Sequence, residues 1–197
     1  MRQSLHKIDG PRIEKLTEGP RKYGFHGTLK PPFELTPKAT LDSLLRTARI
    51  FARSLYPVTI PPLELAVIGK FIALTPSSQS ADLEKLSAAC VRAFEAFREP
   101  LSNEQIESYR QNKLTVHQEQ MLEHWGYPYV MEEFRFHMSL TDRIDDPVER
   151  DELFGTLESL AAPVLGKTIS VRDLAVFGRE STESPMSVVE RIPFGRV

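Results

Sequence analysis

The chain has 197 residues, 41% of them hydrophobic, and 25 Lys and Arg against 27 Asp and Glu give a formal charge of −2. That length and apolar content suit a single domain of two closely packed lobes spanning 1–197, and the near-neutral balance argues against a dedicated binder of long nucleic acid. Cys90 is the lone cysteine, so no disulfide framework can form within the chain, and no apolar run reaches the ~18–20 residues that span a bilayer. A cytoplasmic protein with no membrane association is expected.

Residues 1–20 are polar, with glycine and proline at 10–11 and 19–20, and read as a poorly structured lead-in. Tyr23–Phe33 alternates like a strand and is stopped by Pro31-Pro32. Helical spacing follows over about 40–55, then two short strands at 63–68 and 71–75 with Gly69-Lys70 as the turn. A second amphipathic helix is predicted over 82–97, with Cys90 on its apolar face. Two short helices follow Asn103. The second opens on the capping pair Thr115 and Gln118 and stops at Gly126. Glu133–Thr141 is the strongest strand pattern of the second half. Asp146, Pro147 and Glu149 mark the start of another helix. Two strands, near 168–177 and 186–192, close an α+β inventory with antiparallel pairing.

Five histidines are present, and only two have a hydroxyl two positions later: His26-Gly-Thr28-Leu29 and His137-Met-Ser139-Leu140. Both follow a phenylalanine, and in both the histidine and hydroxyl share the polar parity of a predicted strand. The pattern is an internal repeat, one copy in each half of the chain. A lone His-x-Thr is ordinarily a satisfied polar pair on a strand. The matched duplication is what points to chemistry.

Cleaving a phosphodiester requires a proton to be taken from the nucleophile and another given to the leaving oxygen. Histidine, with an ordinary pKa of ~6.5, does either job near neutrality. A hydroxyl two residues along an extended strand lies on the same face, about 6.5–7 Å away, and can hold a nonbridging oxygen. Two such units could grip one phosphate from opposite sides.

The two His-x-[Ser/Thr]-Leu motifs resemble those of the 2H phosphoesterase superfamily. The stretches 21–33, Trp125–Val130 and Phe134–Thr141 resemble the branch found in bacterial phosphonate-utilisation operons. The resemblance runs from about residue 21 to the C-terminus. It implies a bilobal α+β fold with two antiparallel sheets flanking a central cleft and helices outside. It implies metal-independent phosphodiester hydrolysis with His26 and His137 as the acid–base pair and Thr28 and Ser139 as phosphate ligands. It also implies a further hydrophobic strand ahead of residue 21, which residues 1–20 do not show.

Lys30 and Arg135 share the faces of their motifs and are candidate substrate cations. Tyr23, Tyr127 and Tyr129 are candidate pocket walls. Trp125 reads as structural, and His117 and His124 as surface residues; His6 supports no argument. No ligand-like cluster of His and carboxylates is present, and no Gly-rich Walker loop, so neither a metal nor a nucleoside triphosphate cofactor is expected. The expected substrate is a cyclic phosphodiester of a ribose derivative. The competing readings are a 2′,3′-cyclic nucleotide or RNA-end phosphodiesterase, a non-catalytic sensor of a nucleotide or phosphosugar, and a structural partner in a phosphonate-processing complex.

Overall fold

The computed structural model describes residues 10–181 and 184–195, and the first expectation it corrects is the unstructured lead-in. Residues 10–23 form two short helices, α1 (Gly10–Leu16) and α2 (Glu18–Tyr23). They are tied down at several points. The Gly19 amide donates to Asp142 Oδ2 at 2.7 Å, the Asp142 amide to the Leu16 carbonyl at 2.7 Å, and Arg12 pairs with Glu149. The Met186 amide donates to the Lys22 carbonyl at 2.7 Å. The helix pair therefore straps residue 142 to residue 186. His6 and the rest of 1–9 lie outside the described residues.

The remaining helices start where the caps say. α3 (Leu41–Arg53) is capped by Thr40, α4 (Ala81–Ala93) by Ser80, α5 (Asn103–Arg110) by Ser102 and α6 (Val116–Trp125) by Thr115; α6 ends on left-handed Gly126. α7 (Pro147–Ala161) opens on Asp146, whose side chain accepts from the Val148 amide. α4 is shorter than its apolar spacing suggests. It stops at Ala93, and a 3-10 turn, Glu95–Phe97, continues the apolar face.

The strands are β1 (Val58–Ile60), β2 (Leu63–Ile68), β3 (Phe71–Pro76), β4 (Met138–Ser139), β5 (Ile169–Val171), β6 (Asp173–Gly178) and β7 (Ser187–Pro193). They form three small antiparallel sheets rather than two: β1-β5, β2-β3-β4 and β6-β7. The α+β class holds. The predicted strand 168–177 is split in two by Arg172 and serves two sheets.

The largest core cluster joins α3, α4 and strands from all three sheets through residues such as Ala48, Ile60, Leu74, Leu83, Met138 and Ile192. Cys90 sits in it at 3% exposure, and burial pushes its thiol up to about 12. A second cluster seats α1 and α7 on β3 through Leu16, Leu153, Ile72 and Ile144. A third packs Trp125 and Tyr127 against Val91, Val130 and Met131.

Candidate active site

Neither motif lies on the long strand its alternation predicts. No backbone amide from Phe25 to Leu35 donates a hydrogen bond among the described residues; the segment bends at Phe25 and again at Leu29–Lys30, and its one β-type pairing is an isolated antiparallel bridge at its end, Leu35 with Arg98. In the second motif only Met138 and Ser139 pair, opposite Leu74 and Ala73. Alternation reports which side of an extended chain is buried. A ladder also needs a partner with free amides and carbonyls.

What replaces the ladder is local and the same in both motifs. His26 Nδ1 lies 2.9 Å from the Gly24 carbonyl, and His137 Nδ1 lies 2.9 Å from the Arg135 carbonyl. A carbonyl only accepts, so in each imidazole Nδ1 carries the proton and Nε2 is left for chemistry. His26 Nε2 lies 3.1 Å from Thr28 Oγ1, within reach of the hydroxyl two residues on. Gly24, at φ 71°, makes the turn out of α2 that aims its carbonyl back at His26.

Each histidine is also flanked by aromatic rings. Tyr23 stacks on His26 at 5.7 Å and Phe177 of β6 lies 5.4 Å away; Phe71 of β3 lies 5.5 Å from His137. The leucines that end the motifs, Leu29 and Leu140, pack against the same core cluster. Ser87 of α4 donates to the Leu29 carbonyl at 2.8 Å.

The two motifs touch. A β-carbon built on Gly27 would collide with the ring of Phe136, the residue ahead of His137. Phe25, the counterpart of Phe136 ahead of His26, is instead 67% exposed.

The candidate supporting residues divide. Lys30 is committed elsewhere: its side chain is 7% exposed, and its ammonium donates to Glu95 Oε2 at 2.9 Å and to the Val91 carbonyl at 3.2 Å. Burial lowers its pKa, and the Glu95 carboxylate opposes that shift. Glu95 also holds Arg98, whose guanidinium fills the space beside Gly126. Arg135 is exposed and caps the carbonyls of Glu132 and Phe134 at 2.9 and 2.7 Å. Tyr127 and Tyr129 meet edge to face at 5.6 Å, and Tyr127 meets Tyr109 of α5 in the same way at 5.6 Å. The sequence reading missed Tyr109, Phe71 and Phe177; each stands alone on its element, with no motif around it.

Trp125 meets His124 edge to face at 4.6 Å and packs inward, and His117 lies 3.7 Å from Glu132 on the surface. Among the described residues no group of three or more His, Cys, Asp or Glu could hold a metal ion. No helix of the described residues is long and apolar enough to cross a membrane. A shallow hollow lined by Glu14, Lys15, Glu18, Arg21, Lys22 and Pro185 contains none of the motif residues.

One near-match to a phosphate loop escaped the sequence reading: Ala161 followed five residues later by Gly166-Lys167-Thr168. Its setting is reversed, because it follows a helix (α7) and precedes a strand (β5), whereas a phosphate loop follows a strand and opens a helix. The Gly166 amide is spent on the Leu63 carbonyl at 2.8 Å and the Lys167 amide on the Val164 carbonyl at 3.3 Å. No cradle of free amides is left for an anion.

The fold and site together define an α+β protein with a duplicated histidine–hydroxyl motif. The chain belongs to the family described as "Protein of unknown function (DUF1045)", whose model matches residues 28–187. It is also similar to two proteins named "Ribose 1,5-bisphosphate phosphokinase PhnN". The one from Janthinobacterium sp. (strain Marseille) is 32% identical over 190 residues, covering 93% of this chain and 42% of that protein. The one from Laribacter hongkongensis (strain HLHK9) is 31% identical over 127 residues, covering 64% and 28%. The chain thus spans less than half the length of either relative.

Proposed function

We propose that this chain is a metal-independent phosphodiesterase that opens a cyclic phosphodiester of a phosphorylated ribose, through His26 and His137 as acid and base and Thr28 and Ser139 as phosphate ligands. The observation that carries this reading is the twin imidazole lock. In both motifs Nδ1 is tied to the carbonyl two residues back, which makes Nε2 the basic nitrogen of each; the Thr28 hydroxyl, 3.1 Å from His26 Nε2, must turn from it to the phosphate when substrate binds. One neutral Nε2 takes a proton from an attacking water as its oxygen bonds to phosphorus. The other imidazole, protonated, gives its proton to the ribose oxygen as the phosphorus–oxygen bond breaks. The hydroxyls of Thr28 and Ser139 hold the nonbridging oxygens while charge builds on them. Lys30 is left out of this scheme because Glu95 already occupies its ammonium.

The relatives' name is that of a kinase, and two observations support assigning that activity to the part of them that this chain does not match. More than half of each relative lies outside the similarity. Within this chain, the one Gly-Lys-Thr stretch has its Gly166 and Lys167 amides engaged. The two activities also fit in sequence: hydrolysis of ribose 1,2-cyclic 5-phosphate at the 2-oxygen yields ribose 1,5-bisphosphate, the compound in the relatives' name. The phosphonate setting rests on the family resemblance of the motifs.

The test is turnover of ribose 1,2-cyclic 5-phosphate, the 2′,3′-cyclic nucleotides and a linear diester in EDTA, with His26→Ala and His137→Ala alongside. Chelator-insensitive turnover of a cyclic ribose phosphate, lost in both variants, is the expected result. Turnover of the nucleotides alone moves the substrate to the nucleotide class. A folded protein that turns over no member of the panel overturns the reading.

A further inference from the structure

Asp142 follows Ser139 of the second motif closely and holds the helix that leads into the first. Its Oδ2 accepts from the Gly19 amide at 2.7 Å, and its own amide donates to the Leu16 carbonyl at 2.7 Å. The two bonds grip the end of α1 and the start of α2 at one point. Thr17, the N-cap of α2, makes no side-chain cap bond, so the acceptor that caps α2 comes from 123 residues away. The fit is close, because a β-carbon on Gly19 would collide with the Asp142 carboxylate. Beneath Asp142 lies the core sheet: the buried Thr141 Oγ1 accepts from the Ile72 amide of β3 at 3.0 Å, and the Thr141 amide donates to the Ile72 carbonyl at 3.3 Å.

The other end of α2 supplies two of the contacts that set the His26 imidazole. Tyr23, its last residue, stacks on the ring at 5.7 Å, and Gly24, its C-cap, presents the carbonyl 2.9 Å from Nδ1. A path of direct contacts therefore runs from β3 through Thr141, Asp142 and α2 to His26. α2 is only six residues long, ~9 Å at 1.5 Å per residue, so a shift at its start is carried to its end. The strap has separate ties as well, in Arg12 with Glu149, Leu16 in the core beside Ile72, and the Met186 amide on the Lys22 carbonyl. These should keep it on the protein when the Asp142 carboxylate is removed.

We infer that Asp142 is a positioning residue for His26: by clamping the start of α2 to the chain that leaves the second motif, it places the ring and the carbonyl that fix the imidazole's orientation and tautomer. Its consequence for turnover rests on the proposed role of His26. The imidazole itself is the readout, so the two can fail separately.

Nitrogen-15 and proton spectra of the imidazoles, recorded about two pH units above the ordinary histidine pKa of ~6.5, report which nitrogen of each neutral ring holds the proton. The His26 signals are identified by their loss in His26→Ala, and Tyr23→Leu isolates the upfield shift that the Tyr23 ring imposes on them. Wild-type His26 should hold its proton on Nδ1. Asp142→Ala should turn it into a mixture of the two tautomers and abolish the Tyr23 shift. Gly19→Ala, which displaces the carboxylate without removing it, should do the same. Asp142→Asn keeps an acceptor oxygen and should retain most of both signatures. Arg12→Ala loosens the strap at another tie; it should lower the unfolding midpoint and leave His26 as it is. His137, whose carbonyl partner lies outside α2, should not change in any variant. The inference is overturned if Asp142→Ala and Gly19→Ala fold and keep the wild-type His26 signals, or if Arg12→Ala disturbs His26 as much as they do. If Asp142→Ala does not fold, Gly19→Ala decides alone. A wild-type His26 with its proton on Nε2 overturns the clamp and the imidazole lock together, whereas the expected tautomers without turnover overturn only the proposed reaction.

Discussion

The ring of Phe136 occupies the space that a side chain on Gly27 would need, so the residue ahead of one motif histidine rests on the residue behind the other. The two motifs are parts of one packed unit, and the middle positions of His-Gly-Thr and His-Met-Ser are not equivalent. Met138 is buried in the core, whereas residue 27 must be small. Gly27→Ala should destabilise the fold by about 1–3 kcal/mol, as overpacking does. It should also lower activity, because relief requires one motif to move. Adding Phe136→Leu should recover most of the lost stability. Denaturant unfolding of the single and double variants measures both effects.

The catalytic assignment predicts a loss of about 10²–10⁴-fold in turnover for either histidine-to-alanine variant, the worth of one general acid or base. Activity against pH should show two limbs that report the histidines as a coupled pair. A profile that stays flat between about pH 5 and 9 would sink the two-histidine mechanism.

Glu95→Gln should be costly because it leaves the Lys30 ammonium buried without its carboxylate, a loss of about 3 kcal/mol at neutral pH. The sign of its pH dependence follows from burial. Lys30 titrates below its ordinary 10.5 in the folded chain, so between the folded and unfolded values the unfolded chain binds more protons. Stability then rises with pH across that window. The deficit of the Gln variant should be largest near pH 7 and should shrink toward pH 10 as Lys30 sheds its proton. Urea titrations of both proteins at the two pH values give the comparison.

Cys90 should be inert. At 3% exposure, with its thiol pushed up to about 12, it supplies almost no thiolate at neutral pH. A chromogenic disulfide reagent should give no signal with the native chain and one thiol after guanidinium is added. Fast native labelling would show that the core around α4 opens readily.

Much of this architecture could be read in advance where a signal is local. Thr115, Gln118 and Gly126 bound α6, and Asp146 with Pro147 starts α7, because capping is settled within a few residues. The histidine–hydroxyl pairs could be named because they are repeated. The strands predicted over 23–33 and 133–141 could not be checked from alternation alone, since pairing depends on what lies alongside. β1 was missed because Val58–Ile60 is three residues between prolines, and it exists through its partner β5. α1 and α2 were missed because glycine and proline interrupt them; contacts to Asp142, Glu149 and Met186 hold what propensity does not. Phe71 and Phe177 reach the motif histidines only through the fold, which no spacing rule encodes.

The uneven backing of the two motifs has a kinetic meaning. Ser139 is stitched into a ladder whose neighbours, Leu140 and Thr141, both donate to the Ile72 carbonyl. The His26 segment is held by side chains instead: Ser87 on Leu29, Glu95 on Lys30 and Phe136 on Gly27. Amide protons from Phe25 to Leu29 should therefore exchange with solvent through small local openings, while those of Ser139 to Thr141 wait for larger ones. In the proposed reaction the two sides would act as an anvil and a hammer: the Ser139 side would stay put, and the His26 side would close on the phosphate and let it go.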